Sequence, residues 1–447
     1  MRIGIIGCNA AGISAASAAR KNDRKAEIFL VESEEVAAYS RCGLPHAISG
    51  EVTDFANLIV FPRSYYKLMR LDLRLRTTAK SIDLKEKRLV VEYEGKEECL
   101  QFDRLVLATG SNLFSPPARG MELAYHLRTI ADGKGICAAA EASSSAVIVG
   151  GGLIGLEMAV ALRQKGLKIS LVEMLPQIAP NMLDSDMAQI LQGRLEQRDI
   201  EILTGSTIQY VQREAKSSNI VLSTGSMKAD LVIAATGIRP NTELARSAGL
   251  RIGESGGIWV NPRLQTSVED IYAAGECVEL LNFITGRPVL SQFGTSAVRS
   301  GRVAGTNAAG GYATMPRVLN SAVSKLFETQ VGVTGLTESQ AEKQGLTTIS
   351  GIMGGKTKAP YYPGSKNIFA KLTFNRENMK LVGAQIIGEE EVTQRINMLS
   401  MAIKGGMTVW DLELAETCYT PPLAEPWEVS LHEASQSVLA KMKNRKN

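Results

Sequence analysis

Residues 146–155 read Ala-Val-Ile-Val-Gly-Gly-Gly-Leu-Ile-Gly, and residues 168–173 read Lys-Ile-Ser-Leu-Val-Glu. The apolar run at 146–149 predicts a buried strand, 153–165 a helix, and 168–173 a second strand ending on Glu173. A strand, a glycine turn and a helix form the phosphate-binding half of a parallel βαβ unit. Gly150, Gly152 and Gly155 let backbone approach a pyrophosphate, and the helix start at Leu153 and Ile154 presents amides and a positive dipole end to it. Glu173, at the end of the next strand, accepts from a ribose hydroxyl. A carboxylate there favours the free 2′-hydroxyl of NADH and repels the 2′-phosphate of NADPH. The following Met174 and Leu175 bring no cation to receive that phosphate.

The same grammar stands at the start of the chain. Residues 2–6 read as a strand, 11–21 as a helix and 27–32 as a strand ending on Glu32, with Gly7-Cys8-Asn9-Ala10-Ala11-Gly12 between the first two. Asn9 replaces the middle glycine, so this loop alone is also compatible with a plain tight turn. Together the copies imply two nucleotide-binding domains, hence one flavin and one nicotinamide that reduces it. A meander-like stretch follows, with 87–93 its clearest strand, then strands at 104–110, 230–237 and 270–276. Beyond about residue 318, strands at 331–334, 347–352, 368–374 and 381–387 and a helix at 390–404 suggest an α+β domain of antiparallel sheet. The basic end, 440–447, reads as a frayed, solvated tail.

The 447 residues suggest about three domains at roughly 150 residues each. Hydrophobic residues at 45% and charged residues at 21% exclude a disordered or collagen-like chain. A net charge of +4 over this length gives no argument for a nucleic-acid partner. Cys8, Cys42, Cys99, Cys137, Cys277 and Cys418 are scattered and form no CxxC pair, which points to a reducing compartment, the cytoplasm. No metal-ligand set appears. The first twenty residues superficially resemble a signal peptide, but the apolar segment begins at residue 3 and carries the glycine spacing just described. The apolar stretch 146–162 contains Glu157 and four glycines and is too short to span a membrane.

With the glycine loops in place, other segments carry a resemblance. Ala108-Thr109-Gly110 and Ala235-Thr236-Gly237 resemble the glycine turns of two-dinucleotide flavoproteins, and 266–276, ending in Ala274-Gly275-Glu276, resembles their second flavin motif. Ser40-Arg41-Cys42-Gly43-Leu44-Pro45 is similar to the active-site loop of the single-cysteine pyridine nucleotide-disulfide oxidoreductases, the branch holding coenzyme A-disulfide reductase, NADH oxidase and NADH peroxidase. The resemblance covers essentially the whole chain. It implies an α/β fold with an FAD domain at 1–112 and 240–317, an NAD(P)H domain at 113–239 and a C-terminal α+β dimerisation domain at 318–447. It also implies a homodimer whose active sites are completed by the neighbouring subunit. Ser33, beside Glu32, joins the expected FAD contacts.

The resemblance makes Cys42 the redox centre. A helix start and the neighbouring Arg41 would both favour its thiolate. The two-cysteine relatives carry a partner five residues away; here those positions are Ala37 and Ala47, so Cys42 must cycle with an external sulfur or oxygen species. Cys8, Cys99, Cys137 and Cys277 read as packing residues. Oxidase and peroxidase members carry a His in the first glycine loop where this chain has Ala10, which leans toward disulfide, persulfide or polysulfide substrates, coenzyme A disulfide among them. Tyr361 and Tyr362, in Pro-Tyr-Tyr-Pro-Gly, and Tyr419, in Tyr-Thr-Pro-Pro, resemble the tyrosine segments that assist the leaving thiolate from the neighbouring subunit. Arg20, Lys21 and Arg299 match basic positions of a coenzyme A groove, and Ser40, Arg41 and His46 would face the substrate. The chain departs from the family pattern at Arg41, His46, Glu276 and Cys418, which puts coenzyme A itself in doubt and leaves Cys418 as a candidate resolving thiol. An NADH oxidase or peroxidase is the alternative enzyme, and a redox-sensing flavoprotein the alternative outside enzymes.

Overall fold

The computed structural model describes residues 1–214 and 217–444, and they group into two compact units. The first comprises Met1–Phe114, Arg128–Lys134 and Ile238–Val318. Its centre is a five-stranded parallel sheet in the order Ile271–Ala273, Arg104–Leu107, Arg2–Ile6, Glu27–Val31, Leu71–Arg74. Parallel strands are covered on both faces, so they read as unbroken apolar runs. Ile3, Ile5, Leu30, Leu105 and Leu107 are accordingly fully buried.

The helix Ala10–Asn22 is rich in alanine and lies against the helix Gly294–Ala308. A Cβ on Gly301 would stand 2.2 Å from the Ala11 carbonyl oxygen, and one on Gly305 2.0 Å from that of Ala15. Small residues on both helices thus set their close approach. The expected meander is an antiparallel sheet of Thr77–Asp83, Arg88–Tyr93 and Lys96–Gln101.

The second unit comprises Ser115–Leu127, Gly135–Gly237 and Leu319–Asn447. It holds a parallel sheet in the order Ile200–Leu203, Lys168–Val172, Ser145–Val149, Leu231–Ala234, Tyr125–His126. It also holds an antiparallel sheet in the order Ala322–Leu326, Thr329–Gly335, Leu381–Gly388, Asn367–Asn375, Thr348–Lys356. The helices Val392–Gly405 and Ala434–Asn444 pack on that sheet.

Several elements differ from the sequence reading. The strands expected over 104–110 and 230–237 stop at Leu107 and Ala234, because the glycine turns take over; the one expected over 270–276 is Ile271–Ala273. Ala322–Leu326 and the three-stranded sheet of Ile208–Arg213, Ser218–Leu222 and Gly225–Ala229 were not expected. The tail is helical through Asn444 rather than frayed from 440, and 445–447 lie outside the described residues.

In the second unit, buried Lys371 reaches Asp184 at 3.2 Å, Asp186 at 2.8 Å and Glu338 at 2.7 Å. Burial alone would push this ammonium down, but hydrogen bonds to Asp186 and Glu338 and the nearby carboxylate charges reverse the direction. The trio ties Asn367–Asn375 of the antiparallel sheet to the helix Ser185–Glu196. Among the described residues, no helix is long and apolar enough to cross a membrane, and no group of histidine, cysteine or acidic side chains could hold a metal ion.

Candidate active site

The first glycine loop follows strand Arg2–Ile6. Gly7 adopts φ +91°, and a Cβ there would lie 2.3 Å from the Ala108 carbonyl oxygen, so only glycine fits. Asn9 caps the next helix through Oδ1, which accepts from the Ala10 amide at 2.9 Å. Its Nδ2 is buried and has no hydrogen-bond partner in the protein. A Cβ on Gly12 would meet the Gly7 carbonyl oxygen at 1.8 Å.

Glu32 is 7% exposed, and its carboxylate accepts from the amides of Cys8 at 2.8 Å and Glu34 at 3.0 Å, with the Ser33 hydroxyl at 3.4 Å. Gly275, with φ +92°, brings the later motif against the Ala11 side chain. The Glu276 carboxylate accepts from the Ser111 hydroxyl at 2.5 Å and the Arg128 guanidinium at 2.9 Å. The Thr109 hydroxyl is spent on the Asn241 carbonyl at 2.6 Å, and Gly110 turns the chain at φ +67°.

The turns at Gly7, Ala108 and Gly275 therefore share one end of the sheet, the carboxyl end where α/β sheets take ligands. These residues fit a dinucleotide. A helix N-terminus faces a glycine cradle, an anchored carboxylate waits for ribose hydroxyls, and the amide of Asn9 is a buried donor with its partner still to come. Arg128 and Ser111 were not read from the sequence, because no motif marks them.

Cys42 sits one element further on. Ser40 caps the 3-10 turn Arg41–Gly43, its hydroxyl accepting from the Gly43 amide at 3.2 Å, and the helix Leu44–Ser49 continues from it with Pro45 in the first turn. Cys42 is exposed. Arg41, expected beside thiolate and substrate, has other partners as well. Its guanidinium pairs with Glu34 at 2.5 Å, donates to the Arg128 carbonyl at 3.2 Å and lies over the Tyr39 ring.

Glu34 also accepts from the Tyr39 hydroxyl at 2.7 Å; burial raises its carboxyl group, against the opposing pull of Arg41. His46 pairs with Glu51 at 2.9 Å. Cys8 is inert: burial, then the charge of Glu32, pushes its thiol up to about 12. Burial likewise raises Cys277, whose sulfur lies 3.3 Å from the Ala274 carbonyl oxygen. Cys137 is raised by burial too, while Cys99 and Cys418 are exposed.

In the second unit Gly150 takes φ +106°, and a Cβ on Gly155 would stand 1.9 Å from the Gly150 carbonyl oxygen. Gly152 caps the helix Leu153–Gln164, and a Cβ on it would meet nothing within 4 Å, which leaves open space over the helix start. Glu173 is 7% exposed and accepts from the amides of Gly151 at 2.6 Å and Leu175 at 2.7 Å. Gly237 turns at φ +107°. Met174 and Leu175 beside Glu173 are exposed. This loop also fits a dinucleotide, with open space before a helix N-terminus and an anchored carboxylate at the next strand end.

The tyrosines lie elsewhere in the same unit. Tyr361, Tyr362 and Tyr419 are all exposed, and the nearby Tyr361 hydroxyl raises Tyr419 above the ordinary tyrosine value. Of the basic residues, Lys21 and Arg299 are exposed. The Arg20 guanidinium donates to the carbonyls of Met69, Asp23, Arg24, Ala26 and Arg70 and so clamps backbone.

Residues 1–305 match the family described as pyridine nucleotide-disulphide oxidoreductase, and residues 321–430 match its dimerisation domain. A Methanocaldococcus jannaschii protein named NADH oxidase is 41% identical over 451 residues, with 100% of both chains covered. A Pyrococcus horikoshii protein named NAD(P)H coenzyme A polysulfide/persulfide reductase is 32% identical over 431 residues, with 96% of each chain covered. The solved structure of a NAD-dependent persulfide reductase from A. fulgidus superposes with a TM-score of 0.95 at 34% identity, covering 100% of this chain and 84% of that one. The chain belongs to the pyridine nucleotide-disulphide oxidoreductase family, and it is an oxidoreductase that works with FAD and a nicotinamide dinucleotide.

Proposed function

We propose that the protein reduces a low-molecular-weight disulfide, persulfide or polysulfide, coenzyme A disulfide among them, at the expense of NADH. One observation carries the reading: Cys42 is exposed on a capped turn, while Ala37 and Ala47 stand where a second cysteine would have closed an internal disulfide. FAD, when bound, supplies the two-electron link between nicotinamide and sulfur. Gly7, Asn9, Ala11 and Gly12 would hold its pyrophosphate and Glu32 its ribose, with Glu276 and Arg128 at the far turn. Gly150 to Gly155 and Glu173 would hold NADH, and the pinned Glu173 carboxylate with uncharged Met174 and Leu175 beside it disfavours NADPH.

The Cys42 thiolate attacks one sulfur of the substrate. A mixed disulfide forms and the other half leaves as a thiolate. Tyr361, Tyr362 or Tyr419 offers that thiolate a hydroxyl donor. Return of Cys42 to the thiolate takes two electrons and frees the second half. Residues 1–112 and 240–317 would serve FAD, 113–239 the nicotinamide and 318–447 the contact between subunits. A homodimer is supported by the dimerisation-domain match and by exposed Met398, Met401, Trp410, Leu414 and Leu423 within it. The tyrosines would then act on the neighbouring subunit's Cys42. Scattered cysteines without a CxxC pair support a reducing compartment, the cytoplasm.

NADH oxidation is the second reading, favoured by the name of the 41% identical relative. Ala10 weighs against it, because the first glycine loop then offers no imidazole to donate a proton to oxygen or peroxide. Turnover of NADH by the holoenzyme with coenzyme A disulfide, polysulfide, hydrogen peroxide and oxygen, side by side, separates the readings. A sulfur substrate should be fastest; faster oxygen or peroxide turnover refutes the sulfur assignment. A protein that reduces once and then stalls with every acceptor would be a sensor.

A further inference from the structure

Two loops carry the tyrosines, and both are drawn closed at their necks. In the first, the Thr357 amide donates to the Lys366 carbonyl at 2.9 Å, and the Lys366 amide donates back to the Thr357 hydroxyl oxygen at 3.1 Å. Tyr361 and Tyr362 lie between them. In the second, the His432 ring joins both ends: Nε2 meets the Ala415 carbonyl at 2.8 Å, and Nδ1 accepts from the Glu428 amide at 2.8 Å. Accepting at Nδ1 places the ring proton on Nε2, so the neutral imidazole uses both nitrogens. Cys418 and Tyr419 lie within that span. Trp427 stacks on the same ring with centroids 4.6 Å apart.

One buried side chain joins the two necks. Arg395, on the helix Val392–Gly405, is 7% exposed. Its Nε donates to the Glu428 carboxylate at 2.7 Å, one terminal nitrogen donates to the Glu391 carboxylate at 3.0 Å, and the other donates to the Thr357 carbonyl at 3.4 Å. A planar guanidinium has donors pointing in fixed, different directions, so it can span a carboxylate on one loop and a carbonyl on another. Tyr361 and Tyr419 lie on these same two loops, near enough for Tyr361 to raise Tyr419 above its ordinary value. A fixed distance between necks sets the distance between tips.

We infer that Arg395 is a positioning residue that brings Tyr361 and Tyr419 into register for the sulfur chemistry at Cys42. The inference rests on the proposed role of those tyrosines. It concerns no direct contact with substrate or flavin, because Arg395 acts through the two loops it joins.

The test uses the dimeric holoenzyme and Arg395→Lys, which keeps the charge but replaces the wide planar fork by one nitrogen that cannot span both loops. Reduction of bound FAD by NADH should match the parent in stopped flow. With polysulfide, kcat should fall about tenfold and KM should change little. Combined with Tyr419→Phe, the double variant should be no slower than the slower single variant, as expected for residues acting as one unit. Parental kcat in Arg395→Lys beside an impaired Tyr419→Phe overturns the inference, and so do two losses that simply multiply.

If Tyr419→Phe itself costs nothing, the tyrosine role has failed, and the positioning claim is read separately. In NMR titrations of ring-¹³C tyrosine, with the Tyr419 signal assigned by its loss in Tyr419→Phe, the Arg395→Lys midpoint should move down to the value in Tyr361→Phe. An unmoved midpoint overturns the inference. Should Arg395→Lys not fold, Glu428→Gln weakens the same link, and the same titration decides with the same two outcomes.

Discussion

Tyr361 holds Tyr419 above the ordinary tyrosine value, although the two come from separate loops of the C-terminal region. The neighbouring Tyr361 hydroxyl favours the protonated form of Tyr419 over its anion, whose ordinary value is about 10. The sign follows: a raised group keeps its contribution below its unperturbed value and loses it as the pH climbs through the raised one. Tyr419 therefore stays a proton donor further into the alkaline range than a free tyrosine. Replacing Tyr361 by Phe removes the first cause of the shift. The alkaline limb of kcat for a disulfide substrate should then move down toward pH 10, while the acidic limb stays in place. A pH profile of steady-state turnover measures both limbs, and an unmoved alkaline limb means that Tyr419 titrates outside the reaction.

Motifs that recur at short spacing were legible, and links across long spacing were not. Gly150 to Gly155 and Gly7 to Gly12 announce strand, turn and helix because the glycines are needed where backbone meets backbone. The core strands also read well, since burial on both faces makes them continuous apolar runs. Ala322–Leu326 and the sheet of Ile208–Arg213, Ser218–Leu222 and Gly225–Ala229 were missed because they are short and partly exposed and alternate with polar residues. The backbone clamp made by Arg20 was illegible for a different reason. A cation in sequence does not reveal its acceptors, and those of Arg20 are carbonyls of the adjoining Asp23, Arg24 and Ala26 and of distant Met69 and Arg70. The Arg128–Glu276 pair was invisible on the same ground.

Gly12→Ala should cost the protein its flavin. The added methyl would stand 1.8 Å from the Gly7 carbonyl oxygen, which is backbone and cannot swing aside. The loop must open, and the amides at the helix start lose their aim. The visible flavin absorbance per chain of the purified variant should drop severalfold, with partial recovery when excess FAD is added. A full flavin complement would mean that the dinucleotide does not lie across this turn.

Lys371→Met keeps the side-chain volume but leaves Asp184 buried beside Asp186 and Glu338 without their cation. Removing one partner of a buried ion group costs about 3–5 kcal/mol. The low end applies, because Asp186 and Glu338 are partly exposed. Urea unfolding followed by far-UV circular dichroism should show an earlier midpoint. Adding Asp184→Asn should recover part of the loss by removing the stranded charge. A midpoint unchanged in Lys371→Met would show that the network contributes little.

Ala10→His tests why sulfur should outrun oxygen species. Ala10 is the first residue of the helix that opens the flavin loop, directly after the capping Asn9. An imidazole there could protonate a departing hydroxide, and a missing general acid typically costs about 10²–10⁴ in rate. The substitution should raise peroxide turnover at least tenfold on that basis and leave disulfide turnover near the parent value. Unchanged peroxide turnover would place residue 10 away from the reacting sulfur.

The last prediction concerns which chain supplies the tyrosine. Suppose Tyr419 acts on the neighbouring subunit's Cys42. Then a heterodimer of one Cys42→Ser chain and one Tyr419→Phe chain contains one site damaged at both positions and one site damaged at neither. The undamaged site pairs Cys42 of the Tyr419→Phe chain with Tyr419 of the Cys42→Ser chain. Co-expression with two different affinity tags isolates this species from both homodimers. Its disulfide turnover should approach half that of the parent dimer, while the Cys42→Ser homodimer is inactive and the Tyr419→Phe homodimer impaired. Within one chain the arithmetic reverses. Each site of the heterodimer would then carry one lesion, and its activity would fall midway between the two damaged homodimers. The two arrangements differ in a single measured rate, and reduction of bound FAD by NADH, which needs neither residue, reports that both flavins are in place.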